Sequence, residues 1–337
     1  MAIGAVVAVL VGIALVTGFL SPPGGPAGSG PPPATSQVVA RIEAASVAFD
    51  ASGGWVADDH NGTVRHFDPS SGQVLGRPVP AGIRPISVTA GYGRIWVADI
   101  SGSQVFAIDP AKQKVAGSPI PMPQGPVSIA AGDGGVWVAS LLSGTVSLIN
   151  PRTHEVTASA ALPDGAVRLV VGPDGVWVTG QTDTVTLIKP KPQGVSLSWR
   201  TVRVGRGPIG VAAGDGSVWV ANVQSGTVSR VDPGNVRVTA TFPIGAGAPA
   251  NGSTSGPVGS GANAGVALGS PEVVAVWQNR LWVADGQQGV MVAIDPSNGR
   301  QIGGAVHLPG VMRDLVVDSS GALWGTTANP GSVLRFS

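Results

Sequence analysis

The sequence predicts an all-β fold, and three observations carry that prediction. Short valine-rich runs alternate with turn residues, and the 337 residues include 51 glycines and 29 prolines. Hydrophobic residues nevertheless make up 43% of the chain, which is enough to fill a core. The third observation is a tryptophan-centred motif that recurs about every 40 residues. Short strands joined by tight turns satisfy all three.

The recurring motif reads GVWVAS in its clearest copy and occurs seven times. Its tryptophans are Trp55, Trp96, Trp137, Trp177, Trp219, Trp282 and Trp324. A strand-and-turn repeat of this length is typical of propeller blades, which pack face to face and therefore bury both faces of their inner strands. The repeat predicts one seven-bladed β-propeller of four-stranded antiparallel blades over residues 37–337, with the seven tryptophans packed between blades.

Within a unit, four strands named a to d can be followed from the channel outwards. In the third unit they are VSIAAG, GVWVAS, SGTVSLIN and HEVTASAAL, and Asn150-Pro151 separates the last two because proline cannot donate to a ladder. The seventh unit stops at Ser337 without a strand d. Residues 37–44, QVVARIEA, match the strand d pattern, so we expect them to pair into the seventh blade and close the ring.

Two segments outside the repeat have their own composition. One gap between successive motifs is long and contains the Gly/Ser/Ala-rich residues 246–270, which predict a flexible insertion on a d-to-a connection. Residues 21–36, SPPGGPAGSGPPPATS, are dominated by proline, glycine and serine and predict an extended linker.

Residues 2–20 form an uncharged apolar run, and a helix of that length spans roughly 28 Å, close to the thickness of a bilayer's hydrocarbon core. They predict a transmembrane helix or signal anchor over residues 1–20. A cleaved signal peptide is the alternative, although no basic residue or clear cleavage site accompanies the run. The expected location is the cell membrane, single-pass, with the propeller extracytoplasmic, or secreted under the alternative.

Charge and cysteine content exclude several classes of protein. A formal net charge of +1 gives no electrostatic reason to expect nucleic-acid binding. The absence of cysteine excludes disulfides, thiolate metal sites and a cysteine nucleophile.

Candidate binding residues lie where strand b ends and where strand d leads into the next strand a, since these loops share the face around the central channel. A ring of aspartate and arginine there could hold a small polar or anionic ligand, with arginine offering paired hydrogen bonds to carboxylate or phosphate. The candidates are Asp58, Asp99, Asp285, Asn222, Arg84, Arg168, Arg206 and Arg313. The competing interpretation is that the Asp and Asn side chains cap the turns that follow them and that the arginines neutralise the carboxylates.

Two units, GPVSIAAGDGGVWVASLLSGTVSLINPRTHEV and PIGVAAGDGSVWVANVQSGTVSRVDPGN, resemble YncE-like and NHL-like bacterial β-propellers, which are kin of streptogramin-lyase-type propellers. The resemblance covers about 300 residues and is specific for fold rather than function. Such propellers also occur as exported sensor halves of membrane-anchored kinases, which the anchor, linker and propeller resemble. The chain carries no kinase signature.

The lyase resemblance implies histidine and carboxylate on the channel face with a divalent metal. Of the four histidines, His66, His154 and His307 fall in a strand c, a c-to-d turn and an outer strand, leaving His60 near the channel. The sequence therefore favours a binding module without catalytic residues or cofactor, which takes a small ligand or a protein partner on its channel face. The alternative is a metal-dependent lyase-like or lactonase-like enzyme using Asp58, Asp99 and Asp285.

Overall fold

The computed structural model describes residues 35–172, 174–190, 196–244 and 270–337. Within these ranges, 29 strands form seven antiparallel sheets arranged as the blades of a propeller. The predicted seven-bladed, all-β architecture is therefore confirmed. The strand bounds follow the repeat, with strand a innermost in each blade and strand d at the rim.

Blades 1 to 3 follow β1, Ser36–Ala40. Blade 1 consists of β2 Ser46–Asp50, β3 Gly53–Asp58, β4 Thr63–Phe67 and β5 Val74–Pro80, and blade 2 of β6 Pro85–Gly91, β7 Arg94–Asp99, β8 Gln104–Asp109, β9 Lys114–Val115 and β10 Ile120–Pro121. Blade 3 consists of β11 Pro126–Gly132, β12 Gly135–Ser140, β13 Thr145–Asn150 and β14 Glu155–Ala161. Blade 2 departs from the pattern because its outer strand is interrupted, so that β9 and β10 pair separately with β8.

Blades 4 to 7 have the same order. Blade 4 consists of β15 Leu169–Gly172, β16 Gly175–Thr179, β17 Thr184–Pro190 and β18 Leu197–Arg203, and blade 5 of β19 Pro208–Gly214, β20 Ser217–Asn222, β21 Thr227–Asp232 and β22 Arg237–Pro243. Blade 6 consists of β23 Pro271–Trp277, β24 Arg280–Asp285, β25 Val290–Ile294 and β26 Gln301–His307, and blade 7 of β27 Val311–Val317, β28 Leu323–Ala328 and β29 Ser332–Phe336.

The first strand of the described chain completes the last blade. β1 pairs antiparallel with β29, with Ser36 opposite Phe336 and Val38 opposite Leu334. The predicted closure by the N-terminal strand is confirmed, although the strand is shorter than the predicted 37–44 because it ends at Ala40. Pairing this edge removes the unpaired strand that an open ring would expose.

The repeated tryptophans fill the spaces between neighbouring blades. Trp96 of blade 2, for example, is fully buried and packs in one cluster with Ile129 and Val136 of blade 3. Trp324 closes the ring in the same way, because it packs with Val47 of blade 1. All seven are at most 3% exposed, which confirms that they serve inter-blade packing. A buried side chain of this size is among the largest single contributions to a core.

Side chains of strand a also link one blade to the next by hydrogen bonds. Three serine hydroxyls accept the backbone N–H of the following blade at 3.2–3.3 Å, in the pairs Ser46 with Val88, Ser87 with Ile129 and Ser128 with Leu169. At the ring closure Asp314 takes this role. Its Oδ2 accepts from the N–H of Val47 at 3.3 Å and from the hydroxyl of Ser46 at 2.7 Å.

Trp277, which lies outside the repeated motif, also packs between neighbouring blades. It is the last residue of β23, 6% exposed, and its Nε1 donates to the Gly321 carbonyl of blade 7 at 2.7 Å. Gln278 and Asn279, both at positive φ, form the two-residue turn that connects β23 to β24.

Several predictions concern residues outside the described ranges. The apolar segment 2–20 and the linker, apart from Thr35 and Ser36, lie there, as does the predicted insertion except for Ser270. None of the residues in the four described ranges belongs to a helix long and apolar enough to cross a bilayer.

Candidate functional site

The b-to-c and d-to-a loops lie on one face of the ring, which we call the channel mouth. Its residues follow from the meander of each blade, since alternate connections of an antiparallel meander return to the same edge. The predicted candidates occupy this face, and the structure separates them into two groups: side chains that hold the loops together, and side chains at the mouth of the channel.

The predicted aspartates at the ends of strand b belong to the first group. Asp99 is fully buried, and its carboxylate accepts the N–H groups of Ile83 and Arg84 at 3.1 and 2.8 Å. Asp58 accepts the N–H of Asn61 at 3.0 Å and the Nε of Arg65 at 3.1 Å. The hydrogen bonds of these carboxylates stabilise the loops, as the turn-capping interpretation expects.

Asp285 and Asn222 are used in the same way. Asp285 accepts the N–H groups of Ser270, Gln287 and Gln288 at 2.9–3.0 Å. The Asn222 Nδ2 donates to the hydroxyls of Thr227 and Ser229 at 3.1 and 3.0 Å. Both side chains are fully buried. A buried polar atom needs such partners, because leaving it unsatisfied costs about 1–3 kcal/mol. The Oδ1 of Asn222 is an exception, since it has no hydrogen-bond partner among the described residues.

The arginines form the second group, and two of the four, Arg84 and Arg313, converge on a carboxylate outside the predicted set, Asp59. Arg313 donates through Nη1 and Nη2 to the two oxygens of Asp59 at 3.1 Å each, which is the bidentate geometry. The Nε of Arg84 lies 3.8 Å from the same carboxylate. The Asp59 side chain is 4% exposed, whereas those of Arg84 and Arg313 are 37% and 21% exposed.

Arg168 extends this group across the ring. It belongs to blade 4, yet its Nη2 donates to the backbone carbonyl of Arg313 in blade 7 at 3.1 Å. In a ring of seven these blades are nearly opposite, so the Arg168 side chain crosses the central channel. Arg206, the fourth predicted arginine, stays apart: its backbone N–H donates to the Ser225 hydroxyl at 2.7 Å and its side chain is exposed.

Glu272 of β23 completes what we call the arginine cluster, which comprises Asp59, Arg84, Arg168, Glu272 and Arg313. Burial, and secondly the charge of Asp285, raise the pKa of Glu272 above its usual range, while the guanidinium of Arg168 opposes that rise. The cluster therefore contains three guanidiniums, of which Arg313 pairs with the Asp59 carboxylate, and a second carboxyl, Glu272, whose pKa is raised.

Asp59 and Glu272 were not among the predicted binding residues. A signal for Asp59 was present, because successive residues at a strand end point to opposite sides. Asp58 turns into the blade, so its neighbour in the Asp58-Asp59 doublet faces the channel. The contact between Arg168 and Arg313 joins residues 145 apart in sequence, and no local pattern predicts it.

The alternative of a metal site can be compared with the positions of the acidic and histidine side chains in the described ranges. Among the described residues, no group of three or more His, Asp or Glu side chains is placed to hold a metal ion, and Asp58, Asp99 and Asp285 are all among them. His60 is exposed, and its Nδ1 lies 3.5 Å from the Oδ1 of Asp59.

Comparison with known proteins bears on the fold. No protein-family model and no curated protein sequence matches the chain. Among solved structures, a streptogramin B lyase superposes with a TM-score of 0.70 at 13% identity, covering 90% of this chain and 97% of that one. A virginiamycin B lyase from Staphylococcus aureus gives 0.70 and 13% over 90% and 99%. The WD40 propeller domain of Doa1 gives 0.67 and 14% over 90% and 97%.

These neighbours include a lyase as well as a WD40 propeller domain, and their sequence identity to this chain is low. One fold that carries such different proteins does not specify an activity. The chain is a β-propeller with the fold shared by the streptogramin B lyase structures.

Proposed function

We propose that the protein is a membrane-anchored, extracytoplasmic binding module, without chemistry of its own, that captures a small anionic ligand in the arginine cluster at its channel mouth. The observation that carries the proposal is the position of Arg168. Its guanidinium reaches across the channel and is fixed there by one hydrogen bond to the Arg313 carbonyl. Arginine has five N–H donors in a planar fork, so with respect to the described residues the remaining donors of Arg168 stay available.

Charge balance supports an anion rather than a cation as ligand. Arg84 contacts Asp59 only at 3.8 Å, and Asp59 is already engaged by both ends of the Arg313 fork. Among the described residues, the guanidiniums of Arg84 and Arg168 are thus left with spare donors in a partly buried place. The carboxyl that interacts with Arg168, Glu272, has a pKa raised by burial, which weakens its claim on that charge. A carboxylate or phosphate can accept two parallel hydrogen bonds from each guanidinium.

Exposed apolar side chains on the same face as the cluster suit a ligand that also has a hydrophobic part. Ile83 and Leu142 are 69% and 63% exposed, and both lie in loops of the channel mouth. A site that fixes a charged group with a few polar contacts and covers the rest with apolar surface is the usual arrangement for small ligands. A protein partner that presents a carboxylate and an apolar residue satisfies the same chemistry.

The anchoring and location in this proposal rest on residues 2–20, whose length and apolarity suit a bilayer, and on the extended linker of residues 21–36. A cleaved signal peptide would give a secreted protein with the same binding face. Under either topology the mouth works in the same way, since the binding chemistry is contained in the propeller.

The alternative is a metal-dependent lyase-like or lactonase-like enzyme built on Asp58, Asp99 and Asp285. The hydrogen bonds of these carboxylates to loop N–H groups give it little support, because metal ligation would have to replace them. The overall likeness to a lyase is a likeness of fold. Magnesium or manganese added alone, with chelator as the reverse test, separates the two: stabilisation by metal that is lost in Asp99→Ala would favour the enzyme.

The proposal is tested by thermal unfolding of the full-length protein with phosphate, succinate and hexanoate. We expect stabilisation that grows with ligand concentration, as binding to the folded state alone requires. Arg168→Ala should abolish it, and Arg168→Lys should restore only part, since an ammonium lacks the planar fork. Arg203→Ala, an exposed arginine of an outer strand, is the matched control. Equal stabilisation in Arg168→Ala and Arg203→Ala would contradict the proposal.

A further inference from the structure

A hollow lies on the face opposite the channel mouth, where the a-to-b and c-to-d turns of blades 2 to 4 meet. Its volume is about 780 Å³, within the range of small-ligand sites. Tyr92 of blade 2, Asp133 and Arg152 of blade 3, and Pro190 of blade 4 are among the residues that line it. None of these residues belongs to the arginine cluster.

Tyr92 is the unusual residue of this hollow. It has φ 56° in the two-residue turn between β6 and β7, where Gly93 also has positive φ. Such turns favour Asn or Asp at this place, and the same turn has Asp133 in blade 3 and Asp215 in blade 5. A bulky aromatic residue in the left-handed region is rare and is retained where function requires it.

Core packing does not explain the strain. Val236, another bulky residue at positive φ, is 8% exposed and packs into a hydrophobic cluster. Tyr92 is 49% exposed, so it gains little from burial. It is also the single tyrosine of the chain, which sets it apart from the repeated turn residues. The strained backbone presents an aromatic ring to the hollow rather than to the core.

The polar side chains around Tyr92 define the chemistry of a ligand. Among the described residues, the Asp133 carboxylate and the Arg152 guanidinium have neither an ion pair nor a hydrogen bond, and both are exposed. A carboxylate accepts from hydroxyls and a guanidinium donates to them, while an aromatic ring covers an apolar ring face. Vicinal hydroxyls on a ring with apolar C–H faces match all three groups.

We propose that this hollow, defined by Tyr92, Asp133 and Arg152, is a saccharide-binding site in which the Tyr92 ring stacks on a sugar ring and the two charged side chains bind its hydroxyls. The site is independent of the anion site at the channel mouth. It would give the propeller two binding faces, one for an anion and one for a neutral glycan.

The first test is binding of neutral tetrasaccharides, namely cellotetraose, maltotetraose and chitotetraose, to the full-length protein by saturation-transfer NMR and calorimetry. We expect at least one to bind, with Tyr92→Asn and Asp133→Asn each weakening the affinity about tenfold or more. Asp215→Asn removes the same charge from the equivalent turn of blade 5 and should leave the affinity unchanged. Binding of none of the three, or of adenosine instead of a saccharide, would overturn the proposal.

The second test distinguishes a ligand-binding tyrosine from a structural one. Tyr92→Asn creates an Asn-Gly turn, the preferred sequence for this geometry, and should raise the melting temperature by about 1–3 °C while the saccharide affinity falls. The reciprocal variant Asp215→Tyr should lower the melting temperature. A lower melting temperature in Tyr92→Asn would show that the tyrosine stabilises the fold, and unchanged saccharide affinity in that variant would remove it from the site.

Discussion

Replacing Asp314 by alanine tests how the ring of blades is closed. Asp314 of blade 7 accepts hydrogen bonds from the Val47 N–H at 3.3 Å and the Ser46 hydroxyl at 2.7 Å in blade 1. Asp314→Ala leaves both donors without their acceptor in a partly buried place. Each such loss costs about 1–3 kcal/mol, so we expect the free energy of unfolding to fall by about 2–4 kcal/mol, below the maximum because the site is not fully buried.

Urea denaturation followed by tryptophan fluorescence measures this loss, with refolding from urea as the check on reversibility. Asp314→Asn keeps an acceptor oxygen of the same size and should lose about half as much. Ser128→Ala removes one link between blades 3 and 4, where a single N–H at 3.2 Å is involved, and should lose about 1 kcal/mol. A loss in Asp314→Ala of less than about 0.5 kcal/mol, the range of ordinary surface substitutions, would refute the reasoning.

Three further predictions address the core and the titrating groups. Trp137→Ala should destabilise the protein by about 3–5 kcal/mol because Trp137 is fully buried between blades. Trp199 is 43% exposed on an outer strand, so Trp199→Ala should change the free energy of unfolding by less than about 1 kcal/mol. Urea denaturation measures both changes, and equal losses would contradict the packing account. Burial raises the pKa of Glu272, so this carboxyl holds its proton to higher pH in the folded state than in the unfolded state, and stability should fall as pH rises from about 4.5 through the raised pKa. Glu272→Gln should remove that pH dependence of the melting temperature, and an unchanged pH dependence in the variant would refute the prediction. The Ser297 hydroxyl and N–H hold the pKa of Asp295 below its usual range, so the stabilisation from this carboxylate is present above about pH 3.8 and is lost as pH falls through the lowered pKa. In acid unfolding, the stability of Asp295→Asn should depend less steeply on pH than that of the wild-type protein, and an identical dependence would count against the prediction.

The fold could be predicted largely because the repeat is dense and physically constrained. A motif of the type VWVA, apolar on both faces, indicates a strand between two packed layers, and seven copies indicate seven such strands. The missing strand of blade 7 and the matching pattern near Gln37 predicted the closure, which the pairing of β1 with β29 confirms. These inferences use sequence periods and composition, which propagate through every blade.

The site could be predicted only in part, because it depends on contacts between distant blades. The sequence identified Arg84, Arg168 and Arg313 from their position in the repeat, but the carboxylate on which two of them converge is Asp59 rather than Asp58. Whether a side chain turns into its blade or into the channel changes with a shift of one residue. The position of a guanidinium across a channel depends on the ring geometry, which a single repeat does not contain.

The role proposed for Tyr92 could not be predicted from the sequence either. In sequence it stands in an ordinary turn between two valine-rich strands, and nothing in its neighbours marks it. The structure reveals that its turn requires positive φ at both residues, at which point tyrosine becomes a conspicuous choice. Local rules broken by one residue in an otherwise regular repeat are where function is to be sought.

The most direct test of the central claim is a calorimetric titration of succinate and phosphate into the full-length protein at low and moderate salt, compared with Arg168→Ala. The account predicts binding by the wild-type protein that weakens with salt, and a loss of about tenfold or more, roughly 1.4 kcal/mol, in the variant. No binding of either anion to the wild-type protein, or the same affinity in Arg168→Ala, would contradict the account of the arginine cluster as an anion site.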